Sequence, residues 1–346
     1  MPPLKIFVTG ATGMVGLHIA QHMLEKGHQV TALVRRSSDT SKLKILPGKL
    51  DIRTTELDNA NNVGNLMKGH DVVIHCAGSV DPHATREEIF GVNVGATEIA
   101  LRAAIDAGIK QFIHMSSLSV ITGQEDQFNV DENAPLRTCG EAYADSKVEA
   151  EKLVISLAGT GHLRVTILRP GFIYGPGERA WMPRLIKNIA SGKAMLIDGG
   201  KKETNVIYVG NLCKAAELAL LNEKSFNRVY NLTDGQKVSK KDLFDAIADG
   251  LGLPRIKKTI PSAIARPVCE IVSNIAPMLS PEKRQELSRF SRAAYRLAGI
   301  NQGFSIARAE TELGYTNRVP FTEGMAKTLE SFQVPGGSQN FVQSGR

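Results

Sequence analysis

Two short stretches of this 346-residue chain carry side chains able to move a proton at neutral pH. In Tyr143-Ala-Asp-Ser-Lys147 the four-residue spacing puts a phenol and an ammonium one helical turn apart on a single face. A free tyrosine, with a pKa of about 10, is a poor base, but a neighbouring ammonium favours the phenolate and brings it towards a useful range. The second stretch is Ser116-Ser117-Leu118-Ser119-Val120, directly after a strand pattern over 111–115. At the carboxyl end of a strand, a serine hydroxyl can hydrogen-bond a substrate oxygen and the tyrosine together. Neither stretch is specific alone. A tyrosine and a lysine at this spacing commonly decorate a helix surface, and a serine cluster after a strand commonly satisfies its own backbone.

A third stretch gives them company. Thr9-Gly10-Ala-Thr-Gly13-Met-Val-Gly16 follows a strand pattern and opens a helix pattern. Glycine there permits a tight turn and lets backbone N–H groups approach a pyrophosphate, whose negative charge suits a helix N-terminus. The expected dinucleotide contacts are Gly10, Thr12, Gly13, Met14, Val15 and Gly16. An ordinary glycine turn is the bland alternative, but strand, turn, helix and next strand follow one another in the required order. The end of the second strand then bears on the cofactor. An acid there would accept bonds from a ribose 2′-hydroxyl, whereas arginine accommodates a 2′-phosphate. The chain reads Leu33-Val34-Arg35-Arg36-Ser37-Ser38, with its nearest acid, Asp39, past the strand end. Two guanidiniums offer charge-assisted bonds, so NADP(H) is favoured over NAD(H). The competing account is that Arg35 and Arg36 merely solvate a strand terminus.

These residues need a scaffold, and the hydrophobic periodicity supplies one. Strands are predicted at 5–9, 30–34, 52–57, 72–76, 111–115 and 164–168, with helices at 15–26, 86–107 and 143–157, the first ended by Gly27 as C′ residue. Repeated β–α units predict an α/β fold, a Rossmann-type doubly wound parallel sheet with helices on both faces. The cofactor domain is expected over 1–170, rejoined by about 206–235, where strands at 206–209 and 228–232 flank a helix at 211–221. A smaller, mainly helical substrate lobe is expected over 171–333, and a frayed Gly/Ser/Gln-rich tail over 334–346. Within the lobe, prolines interrupting the apolar stretch 253–281 predict broken helices over a pocket.

Composition narrows the class. Hydrophobic content of 42% and charged content of 22% are those of a folded globular protein. No apolar run reaches spanning length and no signal-peptide pattern opens the chain, so the expected compartment is the cytoplasm. Cys76, Cys139, Cys213 and Cys269 are widely spaced and predict reduced thiols, neither a zinc site nor a disulfide framework. His18 and His22 share a helix face without a third ligand, so no metal is expected. The net charge is +7, but aromatics are only 5% and the basic residues are dispersed, which argues against nucleic acid. Lys283, Arg284, Arg289, Arg292 and Arg296 are the densest basic group, on a predicted amphipathic helix with Leu287, Phe290 and Leu297. A solvated face is the preferred account, with peripheral membrane contact as runner-up.

Together these motifs resemble the extended short-chain dehydrogenases/reductases, a group of NAD-dependent epimerase/dehydratase type. Within it the resemblance is to the 3β-hydroxysteroid dehydrogenase and dihydroflavonol reductase branch. It covers nearly all of 5–332 and rests on the G-x-x-G-x-x-G spacing of Gly10 to Gly16, His75-Cys-Ala77-Gly78, Val92-Asn93-Val94, Ser116-Ser117 and Tyr143/Lys147. It continues through Leu168-Arg169-Pro170, Tyr174-Gly175-Pro176, Ile207-Tyr208-Val209-Gly210-Asn211 and Leu313-Gly314-Tyr315. The resemblance implies a proton-transfer tyrosine at Tyr143, its partner and cofactor contact at Lys147, and an orienting serine. The S-x-x-V pattern makes that serine Ser117, with Ser116 and Ser119 as fallbacks. Asn93 would support the lysine through bound water, its bland alternative being a core-facing polar residue. Ala77, Gly78 and Pro170 would touch the cofactor, and the protein would be a homodimer.

The implied substrate is a small hydrophobic ketone or secondary alcohol, reached by hydride transfer. Gly171-Phe172 stands where nucleotide-sugar epimerases, dehydratases and reductases carry an asparagine, and Glu203-Thr204-Asn205 lacks their Arg-Asp pair. Those enzymes are therefore the second reading. The steroid branch usually takes NAD, and its strand-end acid is absent near Val34, which favours an NADPH-using ketoreductase. A non-catalytic NAD(P)-binding redox sensor is the alternative of another class, and it would lack the tyrosine–lysine pair. Phe172, Trp181 and Met182 are candidates for the pocket wall or, equally, for core packing.

Overall fold

The computed structural model describes residues 2–81, 84–280, 283 and 286–333. The tail at 334–346 and Arg284 of the basic group lie outside the described residues. Seven parallel strands form the central sheet: β1 Lys5–Thr9, β2 Gln29–Val34, β3 Leu50–Thr54, β4 Val72–His75, β5 Gln111–Met115, β6 Arg164–Pro170 and β7 Arg228–Leu232. Their order is β3-β2-β1-β4-β5-β6-β7, so the chain reverses direction across the sheet between β1 and β4. A parallel sheet covered on both sides needs apolar residues on both. Ile6 and Val8 pack on one side with the helices Met14–Glu25 and Val209–Ala219, whereas Phe7 packs on the other with the helices Ala60–Met67 and Ala96–Asp106. This is the Rossmann-type doubly wound arrangement, and its crevice opens at the carboxyl ends of β1 and β4.

Several elements differ from their sequence expectations for local reasons. The strand expected at 52–57 is β3, Leu50–Thr54, because parallel pairing sets Leu50 opposite Val30 and Thr54 opposite Val34. As an edge strand it is largely exposed and its hydrophobic pattern is weak. The single helix expected over 86–107 is two, Arg86–Phe90 and Ala96–Asp106, joined by a π-helical turn at Gly91–Gly95. Thr85 opens it with a capping box to Glu88. The expected single basic helix is likewise divided: helical residues at Lys283, Glu286 and Leu287 give way to a 3₁₀ turn Ser288–Phe290, and a new helix Arg292–Ala298 starts because Ser291 accepts the Ala294 N–H. Gly27 follows the first helix with φ +83°, as a C′ glycine does.

The chain leaves the sheet after β6. Phe172–Tyr174 pairs with Val206–Tyr208, and helices Met182–Ala190, Lys240–Gly250 and Phe321–Glu330 gather around Tyr174, Ile186, Leu243 and Phe321 as a second core. Where broken helices were expected over 253–281, one helix, Ser262–Ile275, runs straight through Pro267. Ala263 is exposed, so water can take up the carbonyl that Pro267 leaves without a donor. Among the described residues no helix is long and apolar enough to cross a membrane.

Candidate active site

The loop after β1 is shaped by what glycine omits. Gly10 has φ +66°, and a Cβ there would fall 2.6 Å from the Ala77 nitrogen. A Cβ on Gly16 would fall 2.2 Å from the Gly10 carbonyl oxygen, which also accepts the Gly13 N–H at 3.0 Å. The turn thus presses the first helix against the sheet edge. Gly13 caps that helix without a side-chain bond, and no acid occupies its first turn, so the leading N–H groups of Met14, Val15 and Gly16 face the crevice. Thr12 is exposed beside them. This helix start suits a pyrophosphate, because glycine lets the turn close tightly against Ala77 and no carboxylate occupies the first turn. Behind it the β1 and β4 ends are tied: Thr9 Oγ1 lies 2.8 Å from His75 Nδ1 and accepts the Ala77 N–H at 3.3 Å. Burial lowers the His75 pKa to about 3, so the ring bridges Thr9 and Thr97 as a neutral imidazole.

Arg35 and Arg36 lie exposed just past the end of β2 and make no ion pair among the described residues. Two neighbours escaped the sequence reading. Glu56 accepts the Arg36 backbone N–H at 3.3 Å, and Arg179, far along the chain, contributes to the field at Asp39. The Asp39 carboxyl is held below its usual range first by the Ser41 hydrogen bonds and then by Lys42 and Arg179.

Tyr143, Lys147 and Glu151 share one stripe of the helix Ala142–Leu157, at intervals of one turn. Burial raises the Tyr143 phenol above its usual pKa, and a hydrogen bond with the Ser117 side chain opposes that rise. Lys147 donates from Nζ to the Met115 carbonyl at 2.8 Å, and burial lowers its pKa to about 8 against the pull of Cys76 and Glu151. Of the three candidate serines, Ser117 is the one whose side chain lies beside the phenol. Its Oγ also accepts the Ser119 N–H at 3.1 Å, which orients it. Ser116 donates to Glu151 Oε2 at 2.5 Å, and Glu151 is paired in turn with Arg169. Ser119 Oγ is buried and has no hydrogen-bond partner among the described residues.

Asn93 sits in the π-helical turn, a device that widens a helix locally and redirects one side chain. Its Oδ1 accepts the Ser79 N–H at 2.7 Å, and its Nδ2 donates to Ser146 Oγ at 2.9 Å and to the Ser79 carbonyl at 3.1 Å. A Cβ on Gly78 would meet Asn93 Oδ1 at 3.2 Å and Lys147 Nζ at 3.5 Å, so Ala77-Gly78, Asn93 and Lys147 converge on one spot. Pro170 ends β6 opposite Leu232 and is buried. Glu151, Ser79 and Ser146 were missed from sequence, although Glu151 continues the Tyr143–Lys147 spacing by one more turn.

The remaining candidates are placed elsewhere. His18 Nε2 lies 2.9 Å from the Pro176 carbonyl oxygen and His22 Nε2 lies 2.8 Å from Glu217. Trp181 donates to the Ile173 carbonyl, meets Phe172 edge-on, and adjoins fully buried Met182 in the second core. Met182 is core, whereas Phe172 and Trp181 pack against that core with part of each side chain exposed.

The NAD dependent epimerase/dehydratase family model matches residues 6–233. A 4-hydroxy-2-methyl-3-oxo-4-farnesyl-3,4-dihydroquinoline-1-oxide ketoreductase of Stigmatella aurantiaca is 30% identical over 323 residues, 93% of this chain and 95% of that protein. The 3beta-hydroxysteroid-dehydrogenase/decarboxylase isoform 1 of Arabidopsis thaliana is 28% identical over 299 residues, 83% of this chain and 68% of its own length. In fold, the chain is similar to the crystal structure of gox2253, with a TM-score of 0.79 at 24% identity over 95% of this chain and 97% of that one. The chain belongs to the NAD dependent epimerase/dehydratase family, and it is an oxidoreductase acting on CH–OH groups.

Proposed function

We propose that this protein is an NADPH-preferring ketoreductase, similar to 3β-hydroxysteroid dehydrogenases, that interconverts a ketone and a secondary alcohol on a small hydrophobic molecule. The observation that carries this reading is the half-buried Tyr143 phenol beside the Ser117 side chain, one turn from Lys147. The bound dinucleotide supplies or accepts the hydride. Gly10, Thr12, Gly13, Met14, Val15 and Gly16 would hold its pyrophosphate, with Ala77, Gly78 and Pro170 alongside and Arg35 and Arg36 on a 2′-phosphate. Residues 1–170, rejoined by 206–235, would act as the cofactor domain and 171–333 as the substrate lobe.

The chain's own groups then divide the proton work. A phenol whose pKa is raised keeps its proton at neutral pH, so Tyr143 is an acid, ready to protonate a carbonyl oxygen as the carbon is reduced. Ser117 Oγ holds that oxygen against Tyr143. Lys147, with a pKa of about 8, is mostly charged at pH 7 and can return the proton to the tyrosine side of the site. Asn93 fixes the Ser79 loop and Ser146 around it. The hydrophobic substrate is supported by the farnesylated quinoline and hydroxysteroid named for the two relatives. The resemblance further implies a homodimer.

The test is consumption of NADPH and NADH with a 3-ketosteroid by the wild type and by Tyr143→Phe. The expected outcome is ketone-dependent turnover preferring NADPH, reduced by roughly 10²–10⁴-fold in the variant while cofactor binding persists. Near-normal turnover of Tyr143→Phe would sink the tyrosine assignment, a preference for NADH would sink that of Arg35 and Arg36, and turnover of UDP-glucose would replace the substrate class.

A further inference from the structure

The helix Ser262–Ile275 buries one stripe and leaves a larger apolar one in water. Ala265 and Cys269 face the body, at 5% and 6% exposure. Ile264, Val268, Ile271 and Ile275 are 54%, 39%, 60% and 41% exposed. At 3.6 residues per turn, their spacings of four, three and four keep them within an arc of about 60°. Met278, at 86%, extends the same stripe from the adjoining 3₁₀ turn Ala276–Met278. Single exposed aliphatic residues are ordinary, but a file of five marks an interaction surface. The helix is held from its other side. Arg266 pairs with Glu125 at 3.2 Å and Glu270 with Arg292 at 2.7 Å, and both lie about half a turn round from the stripe.

Charge identifies the occupant. Residues 255–300 contain nine Lys/Arg and three Glu, a net +6 in a chain of net +7, of which Arg255, Arg266 and Arg296 are answered by Asp249, Glu125 and Glu141 from outside the segment. Lys257, Lys258, Lys283 and Arg289 are exposed among them. A second copy of this chain would bring like charge against like, whereas a layer of anionic headgroups would neutralise it while its acyl region took up the apolar file. At fourteen residues the helix is about 21 Å long, too short to span a hydrocarbon core of about 30 Å. We propose that the apolar stripe of Ser262–Ile275, with its basic surround, docks this protein in the plane of an anionic lipid membrane.

The docked surface is continuous with the candidate site. The helix Arg292–Ala298 packs on Ser262–Ile275, and its Arg296 makes an ion pair with Glu141, the N-cap residue of the helix carrying Tyr143 and Lys147. A hydrophobic substrate dissolved in the bilayer would therefore meet the protein beside its catalytic helix. That last step rests on the proposed function, whereas the docking itself does not.

The experiment is co-sedimentation of the full chain with phosphatidylcholine vesicles made with and without phosphatidylglycerol, in the absence of substrate. Binding is expected on the phosphatidylglycerol vesicles, weakening with salt. Ile271→Asp, and separately Ile264→Asp, should lower partitioning by at least about tenfold while leaving turnover of a water-soluble ketone unchanged. Both sites are exposed, so folding is spared. Lys257→Glu with Lys258→Glu should weaken binding without touching turnover. Failure to bind either vesicle, or binding that Ile271→Asp leaves intact, would overturn the proposal. So would a dimer in solution that Ile271→Asp converts to monomer, since the face would then belong to a second copy. Because turnover is read separately, a loss of docking leaves the oxidoreductase assignment standing.

Discussion

Lys147, Glu151 and Arg169, in the sheet-bearing part of the chain, are 7%, 0% and 3% exposed. In the segment beyond residue 255, by contrast, Arg266, Glu270 and Arg292 meet their partners at the surface, in pairs exposed on both sides. The difference follows from desolvation. A charge withdrawn from water must be answered by an opposite charge or by hydrogen bonds, and a full set of such answers fixes one geometry. Ser116 and Arg169 answer Glu151, and the Met115 carbonyl answers Lys147, so the tyrosine helix is locked in register against β5 and β6. A surface charge needs no protein partner and remains available to other molecules. One region holds its charged groups in one geometry; the other leaves them at the surface.

The largest effect that tests this contrast is Glu151→Ala. It leaves the Arg169 guanidinium buried without its counter-charge and the Ser116 hydroxyl without its acceptor, which should cost about 3–5 kcal/mol. The denaturation midpoint in urea measures it. A loss below about 1 kcal/mol would mean that the pair is hydrated and that the two regions do not differ in kind.

An effect of intermediate size comes from two buried lysines, Lys147 on the tyrosine helix and Lys240 at the start of the helix Lys240–Gly250, both before residue 255. Burial lowers Lys147 to about 8 and Lys240 to about 7 from the ordinary 10.5, and Lys240 Nζ donates to Gln302 Oε1 at 2.9 Å. As pH rises through those lowered values the folded state gives up its proton while the unfolded chain keeps one until 10.5. Where the unfolded state binds more protons, stability rises with pH. Each lysine therefore adds stability that is complete above its unfolded pKa and is lost as pH falls through its folded one. Above about pH 9 the thiols of Cys76 and Cys213, both raised in pKa by burial, act with the opposite sign, so a difference between variants is the proper reading. From pH 7 upward, wild type should gain on Lys240→Met by up to about 1.4 kcal/mol per pH unit. Parallel stability curves would show instead that Lys240 stays charged in the folded protein.

The same contrast governs what the sequence discloses. Strands such as β1 and β4 are buried on both faces, so their apolar runs stand out, and the glycine turn is marked by residue type because its backbone leaves no room for a Cβ. Tyr143, Lys147 and Ser117 are legible through their spacing. Glu151 is not, since a carboxylate one turn beyond a lysine reads as a solvated pair until Arg169 arrives from β6 to bury it. The π-helical turn at Gly91–Gly95 is hidden for a similar reason, because its widening serves contacts from Asn93 to the distant Ser146. In Ser262–Ile275 the periodicity offers two stripes, one small and one large. Hydrophobicity alone would bury Ile264, Val268, Ile271 and Ile275, yet packing selects Ala265 and Cys269, whose small side chains allow close approach.

The smallest expected effect concerns that helix. Arg266 and Glu125 join it to the loop after the Leu118–Val120 turn, and both side chains are more than half exposed. Water already solvates both charges, and ordering two long side chains offsets most of their attraction. Glu125→Gln should therefore shift stability by no more than about 0.5 kcal/mol, and added salt should erase even that. Urea midpoints at low and high ionic strength measure it. A loss above about 1 kcal/mol that persists in salt would mean the pair is shielded from water as Glu151 and Arg169 are. The helix would then be anchored by charge rather than by the packing of Ala265 and Cys269, and the distinction between the two regions would fail at the point where they touch.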